Sequence, residues 1–200
     1  MGYRVVTAPQ SEPLEVEEVR DHLRLVTTTE DNYLSALIAA ARGMVEQYTN
    51  RALITQTWDV ALDAFPTWFD IPGAPLQSVA SLSYVDGNGV TTDLYNSISS
   101  PQVGIGSFVI DTYSQPARFL LPYGGTWPTP ITQANAVILR AVVGYGDTGA
   151  SVPAPIRQAM LLLIGHWYEH RESVSEVQNL AEMPQGAVWL LNPYRIMSVV

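Results

Sequence analysis

The run V-P-A-P-I-R-Q-A-M-L-L-L-I-G-H-W-Y-E-H-R-E, from Val152 to Glu172, constrains this chain more than any other stretch. Pro153 and Pro155 suit the first turn of a helix, where a missing N–H costs nothing. Ile156, Ala159, Met160, Leu163 and Trp167 then recur at helical spacing, and Leu161, Leu162 and Ile164 fill much of the remaining circumference. A helix that is apolar on nearly every side is buried on nearly every side, so the segment predicts a central core helix. Gly165 is its one weak position in propensity.

Two helices are predicted ahead of it. The first spans Leu14–Leu25, with Val16, Val19 and Leu23 inward and Glu15, Glu17 and Glu18 in a first turn whose dipole favours them. The second spans Glu30–Tyr48. Its residues Leu34, Leu37, Ile38, Ala41, Val45 and Tyr48 form the cleanest amphipathic seam in the chain, with Thr29 as a candidate cap and Asn50 as a stop. Residues 1–13 read as an extended arm.

Between helix two and the core helix the period changes to that of strands. Leu53–Asp63, Leu76–Val85, Val90–Leu94, Ser107–Tyr113, Ala117–Leu121 and Ala136–Tyr145 are predicted strands, and D-G-N-G at Asp86–Gly89 is a hairpin turn. Prolines punctuate the region and imply loops, notably Ser97–Gly106 and Pro122–Gln133. The expected fold class is α+β: a small helical bundle of two N-terminal helices and a C-terminal core helix, with an inserted antiparallel β region. The expected divisions are 1–52 for the N-terminal helices, 53–148 for the β region, 149–182 for the core helix and 183–200 for a C-terminal arm. Pro184 and Pro193 suggest that this last segment, Met183–Val200, is extended or bent rather than a further core helix.

Candidate chemistry is sparse. His166-Trp167-Tyr168-Glu169-His170 matches H-x-x-E-H, in which two histidines share a helix face and a glutamate beside them can act as a base. A zinc site would need a further ligand, from Glu172, Glu176 or Glu182 or from the β region, and His22 is the only other histidine. The bland alternative is a helix leaving the core, its surface turning polar. Asp59, Asp63 and Asp70 could pair for acid–base work, but scattered aspartates are more often turn and edge residues. Trp68 and Trp127 lie in proline-rich loops, where they could stack on a partner or on nucleic acid, or pack locally. The glycines lack the G-x-G-x-x-G setting and the serines lack G-x-S-x-G.

Composition closes other routes. All ten basic residues are arginines, which removes the P-loop lysine, Schiff-base chemistry and Ser-Lys dyads. There is no cysteine, hence no disulfide and no thiolate metal site. A net charge of −9 argues against tight duplex binding, yet suits a conduit through which DNA slides. No apolar run approaches the ~20 residues that span a bilayer. The first residues lack the apolar core of a signal peptide, so the expectation is a protein made in the cytoplasm and acting inside the cell that makes it. No membrane partner and no cofactor are expected.

Four segments, in order, resemble the head–tail connector (adaptor, or head-completion) proteins of long-tailed phages and gene transfer agents, in the version with a β insertion. They are Glu18–Arg24; Leu37–Arg42 running into Glu46–Trp58; Val152–Ala159 running into His166–Glu172; and Pro184–Gly186 with Leu190–Arg195. Together they cover nearly the whole chain. Asn50 stands where the family usually has glycine. The resemblance implies a structural, non-enzymatic subunit of a virion or transfer-agent particle, placed at the head–tail junction. It implies a ring, commonly twelvefold, that binds the portal protein, extends the DNA channel and docks a tail-side connector or stopper protein. DNA would pass without specific binding. It also implies that the H-x-x-E-H run carries no metal, against the alternative of a small zinc hydrolase. For the tail, Trp189, Leu190, Leu191, Tyr194 and Arg195 are the expected contacts to portal or neighbouring subunit, because aromatic and arginine side chains dominate binding hot spots.

Overall fold

Helix α3, Ala154–Glu169, is the centre of a helical unit comprising Gln10–Ile54 and Gly146–Val200. The computed structural model describes residues 2–96, 108–170 and 183–197. Pro153 caps α3 in an extended conformation and Pro155 lies in its first turn. Ile156, Ala159, Met160, Leu161, Leu163 and Ile164 are buried, whereas Gly165 to Tyr168 are only half-buried. The helix thus leaves the core where its sequence turns polar. Its predicted extension through Glu172 and the polar stretch Ser173–Ala181 lie outside the described residues.

Helix α1, Val16–Leu23, is shorter than its apolar pattern suggested. Arg24 closes it in the left-handed region at φ 58°. Helix α2, Asp31–Thr49, buries Leu34, Leu37, Ile38, Ala41 and Val45, as their spacing predicts. At its end Thr49 rather than Tyr48 faces inward, and the Thr49 hydroxyl donates to the Val45 carbonyl at 2.7 Å. Asn50 ends the helix at φ 55°, a conformation asparagine tolerates better than most residues. Thr29 does not cap α2. The N-cap position is Glu30, and the Thr29 hydroxyl lies 3.1 Å from that of Thr27. Ion pairs tie the helices at their rims: Arg157 to Glu18 at 2.6 Å, Arg20 to Asp31 at 3.1 Å, and Arg42 to Glu12 at 2.7 Å.

A fourth helix, α4, Gln185–Leu191, packs on α3. Ala187 and Leu191 are fully buried. A side chain at Gly186 would stand 3.5 Å from Leu162, the one α3 leucine left half-buried by the rest of the unit. The terminal segment is therefore not the extended or bent arm that its prolines suggested. Pro184 takes the N-cap position and Pro193 lies in a following 3-10 turn, Asn192–Tyr194, so both frame a short helix instead of preventing one.

The β unit comprises Met1–Pro9 and Thr55–Tyr145. Its strands are β1 Gly2–Thr7, β2 Gln56–Leu62, β3 Trp68–Asp70, β4 Leu76–Val85, β5 Thr91–Asn96, β6 Val109–Asp111, β7 Arg118–Leu120 and β8 Val137–Val143. They form a five-stranded sheet, β1-β2-β8-β4-β5, and a three-stranded sheet, β3-β7-β6, with every pair antiparallel. Two strands were not expected. β1 lies in the segment expected to be an arm, and all its residues are exposed, so it carries no alternating signal. β3 lies in an expected loop, because Pro66 and Pro72 flank its three residues. The D-G-N-G turn forms as predicted, with the Asp86 carboxylate accepting the Asn88 and Val90 amides at 2.8 and 3.0 Å.

Between the sheets lies an apolar core. The five-stranded sheet contributes Trp58, Val60, Leu62, Leu82, Leu139, Ala141 and Val143. A chain of rings joins it to the smaller sheet: Tyr95 against Phe108, Phe108 against Phe119, and Phe119 against Phe69, with centroids 4.5–5.2 Å apart. At the sheet edge Tyr3 stacks on Trp58 at 4.5 Å. The Trp58 ring also lies against Gly73, which adopts φ +79°.

On the outward face of the larger sheet, Asp59 is only 4% exposed and is held by arginines from both neighbouring strands. Arg140 donates to its two oxygens at 2.7 and 3.0 Å, and Arg4 donates at 3.2 Å. Hydrogen bonding from Arg140, opposed by burial and reinforced by Arg4, lowers the Asp59 pKa.

Two outcomes are expected. Gly73→Ala places a Cβ 2.5–2.9 Å from three Trp58 ring atoms and forces an alanine to positive φ. It should cost about 1–3 kcal/mol in denaturant unfolding. Because Asp59 has a depressed folded pKa, its contribution is complete above the unfolded aspartate value of about 4 and is lost as pH falls through the lower folded value. Asp59→Asn should therefore flatten the fall in melting temperature on acidification below about pH 4.

Candidate partner-binding surface

The segment after α3 is attached to the C-terminal end of α2 by directional bonds. The Ile196 amide donates to the Thr49 carbonyl at 2.9 Å, and the Asn50 side-chain amide donates to the Ile196 carbonyl at 2.7 Å. Buried Arg51 donates through Nε to the Tyr194 carbonyl at 2.6 Å. The Tyr48 hydroxyl donates to the Asn192 side chain at 2.7 Å, and the Arg195 guanidinium lies 4.9 Å from the Tyr48 ring centroid. The residue types are those of the N-R-A block after α2 and of the L-N-P-Y-R block near the terminus. Each block supplies the polar partners of the other.

This geometry divides the expected contact residues. Trp189 is 69% exposed and projects from α4. Leu190 is half-buried beside it, and Arg195 is exposed above Tyr48. Tyr194 is half-buried and its carbonyl is committed to Arg51. Leu191 is fully buried, so it is a core residue and not a contact residue. Its helical position opposite Trp189 could have been read from the sequence had the two prolines been taken as the ends of a helix.

The remaining candidates are not gathered into a site. His166 and His170 stand one turn apart with ring centroids 4.8 Å from each other, and the His170 ring nitrogen Nδ1 lies 3.0 Å from the His166 carbonyl oxygen. Among the described residues no group of three potential ligands could hold a metal. Glu172, Glu176 and Glu182 lie outside them. The three aspartates are separated by their strands and partners. Asp59 is bound by two arginines, Asp63 accepts the Asn135 amide at 2.9 Å, and Asp70 sits on the smaller sheet in register with Arg118. Trp127 packs locally: its Nε1 donates to the Pro66 carbonyl at 3.1 Å and its ring stacks on Phe65 at 4.7 Å. Trp68, by contrast, is exposed. Among the described residues no helix is long and apolar enough to cross a membrane.

Comparison with known proteins agrees with a structural role. A model of the family described as phage gp6-like head-tail connector protein matches residues 13–98. A chain from the neck of an empty gene transfer agent (GTA) particle, computed with C6 symmetry, is 31% identical with a TM-score of 0.76, over 100% of this chain and 98% of that one. A chain from the virion of a native GTA particle is 28% identical with a TM-score of 0.75, over the same shares of both chains. One from the neck of a native GTA particle, computed with C12 symmetry, is 28% identical with a TM-score of 0.69, again over 100% and 98%. No curated protein matches. With α2, β2 and β4 all inside the matched family region and the full length shared with neck chains, the His-x-x-Glu-His run is a stretch of helix in a structural protein and not the centre of a hydrolase. This chain belongs to the phage gp6-like head-tail connector family.

Proposed function

We propose that this protein is a connector subunit of a phage or gene-transfer-agent neck, assembling as a ring between portal and tail. The ring extends the DNA channel and offers a platform to the next tail-side connector or stopper protein. One observation carries the reading: the chain aligns over its whole length with 98% of a neck chain at 31% identity. The C6 and C12 symmetries of the matching necks favour a ring, and a dodecamer fits both.

The charge distribution supports a channel role. Arg4, Arg20, Arg42, Arg118, Arg140 and Arg157 are each engaged with a carboxylate of the same chain. These internal pairs leave the excess of acidic residues behind the net charge of −9 to dominate the field. A surface of that kind repels phosphates and lets a duplex slide. Duplex DNA should bind the assembled ring weakly in filter-binding or anisotropy measurements. Sub-micromolar, strongly salt-dependent binding would contradict a passive channel, because it needs several phosphate-neutralising cations.

For portal attachment, the proposed contact is the outer side of α4 and the turn after it: Trp189 and Leu190, with Tyr194 and Arg195 beside them. Leu191 and Ala187 hold that surface in place from behind. Trp189→Ala and Arg195→Ala should each weaken co-sedimentation with portal by about 1–3 kcal/mol, or roughly five- to 150-fold, with circular dichroism unchanged. Undiminished docking by both variants would remove this surface from the account and leave the family assignment intact.

A further inference from the structure

The β unit has two outward faces for which the connector role by itself names no use. On the smaller sheet, Trp68, Leu120 and Val109 pair in register and form a row. Two residues along each strand, Asp70, Arg118 and Asp111 form the next row on the same face. Phe69 and Phe119 alternate to the other side and are buried. The outward face is thus an apolar row, with Trp68 56% exposed, beside a charged row of signs minus, plus, minus.

The five-stranded sheet carries the counterpart. Arg4, Asp59 and Arg140 pair in register with signs plus, minus, plus, and the side chains of Arg4 and Arg140 are 75% and 43% exposed. The adjacent row is Gly2, Ala61 and Ile138. These small and aliphatic residues leave a hollow of about 300 Å³ next to Arg4 and Asp59. In both sheets neighbouring strands are about 4.8 Å apart and same-face rows about 7 Å apart, so the two patterns share one grid. Both sheets turn their opposite faces into the common core, so these two faces look away from each other.

We infer that the two faces bind each other between neighbouring copies of this chain. Trp68 of one copy enters the hollow beside Gly2 and Ala61 of the next, Asp70 meets Arg4, and Asp111 meets Arg140, with Val109 over Ile138. The inference rests on the proposed ring and names one of its contacts. A second copy is the occupant because each face carries the complement of the other: one row has a net charge of −1 and the other +1, each beside an apolar row. Two different patches on opposite sides make a heterologous contact, the kind that closes into a ring. A large aromatic in a pocket with flanking charge pairs is the usual composition of a hot spot.

The absence of cysteine makes the test clean. In the full-length chain, Val109→Cys with Ile138→Cys places two thiols on opposite outer faces of packed sheets about 10 Å apart, beyond the roughly 7 Å reach of a disulfide. Any cross-link must therefore join two copies. Mild oxidation of assembled protein should give a reducible ladder extending past the dimer, whereas either single-cysteine variant should stop at the dimer. Independently, Arg4→Glu and Asp70→Arg should each reduce assembly about tenfold, and mixing the two should restore it, because alternating subunits then match at every contact. Circular dichroism checks that each variant is folded. Wild-type rings with no ladder from the double variant, or charge variants that assemble normally, would overturn the inference and leave the ring standing. Wild-type protein that forms no ring alone or on portal would overturn the ring itself, and this contact with it.

Discussion

Burial of α3 on most of its circumference is the constraint on which the helical unit depends. A helix carrying Ile156, Met160, Leu161, Leu163 and Ile164 on different sides must be surrounded, and α1, α2 and α4 all pack on it or on one another. The end of α1 lies against α3 at Gly165, near His22 and Leu23, and α4 lies against Leu162 at Gly186. The polar end of α3 follows from the same arrangement. Once the covering helices run out, the sequence changes to histidine, tyrosine and glutamate, and the histidines lie side by side on a partly exposed helix face.

The β unit obeys a different economy. Its core is aromatic and closed between two small sheets, so its outward faces are free to be patterned. Charged residues there are arranged by strand register, with an arginine or an aspartate at the centre of each row. Asp59 illustrates the consequence. A carboxylate so little exposed is tolerable only with strong partners, and arginines on both flanking strands supply them. The arrangement pins the edge strand β1 to the sheet as well as neutralising the charge.

Elements with a full repeat of their pattern were legible in the sequence. The seam of α2, its asparagine stop, the ten residues of β4 and the D-G-N-G turn all match. What escaped had its signal removed by context. β1 is an edge strand whose residues are all exposed, so nothing alternates. β3 is three residues long between prolines. α4 was hidden by Pro184 and Pro193, which stop a helix anywhere but where they stand, at its N-cap and in the turn beyond it. Leu191 was misplaced for that reason. The sequence does not show that Asp59 is paired, because its partners are 55 and 81 positions away, a pairing that no local pattern encodes. Function was legible only through four ordered motifs, since the chain offers no reactive constellation to read.

The central claim is that this chain joins heads to tails. Its most direct test is electron microscopy of particles from cells lacking only this protein. The account predicts DNA-filled or emptied heads with a bare portal vertex and free tails in the same preparation, with tailed particles recovered when the intact chain is supplied. Normal tailed particles in its absence would contradict it.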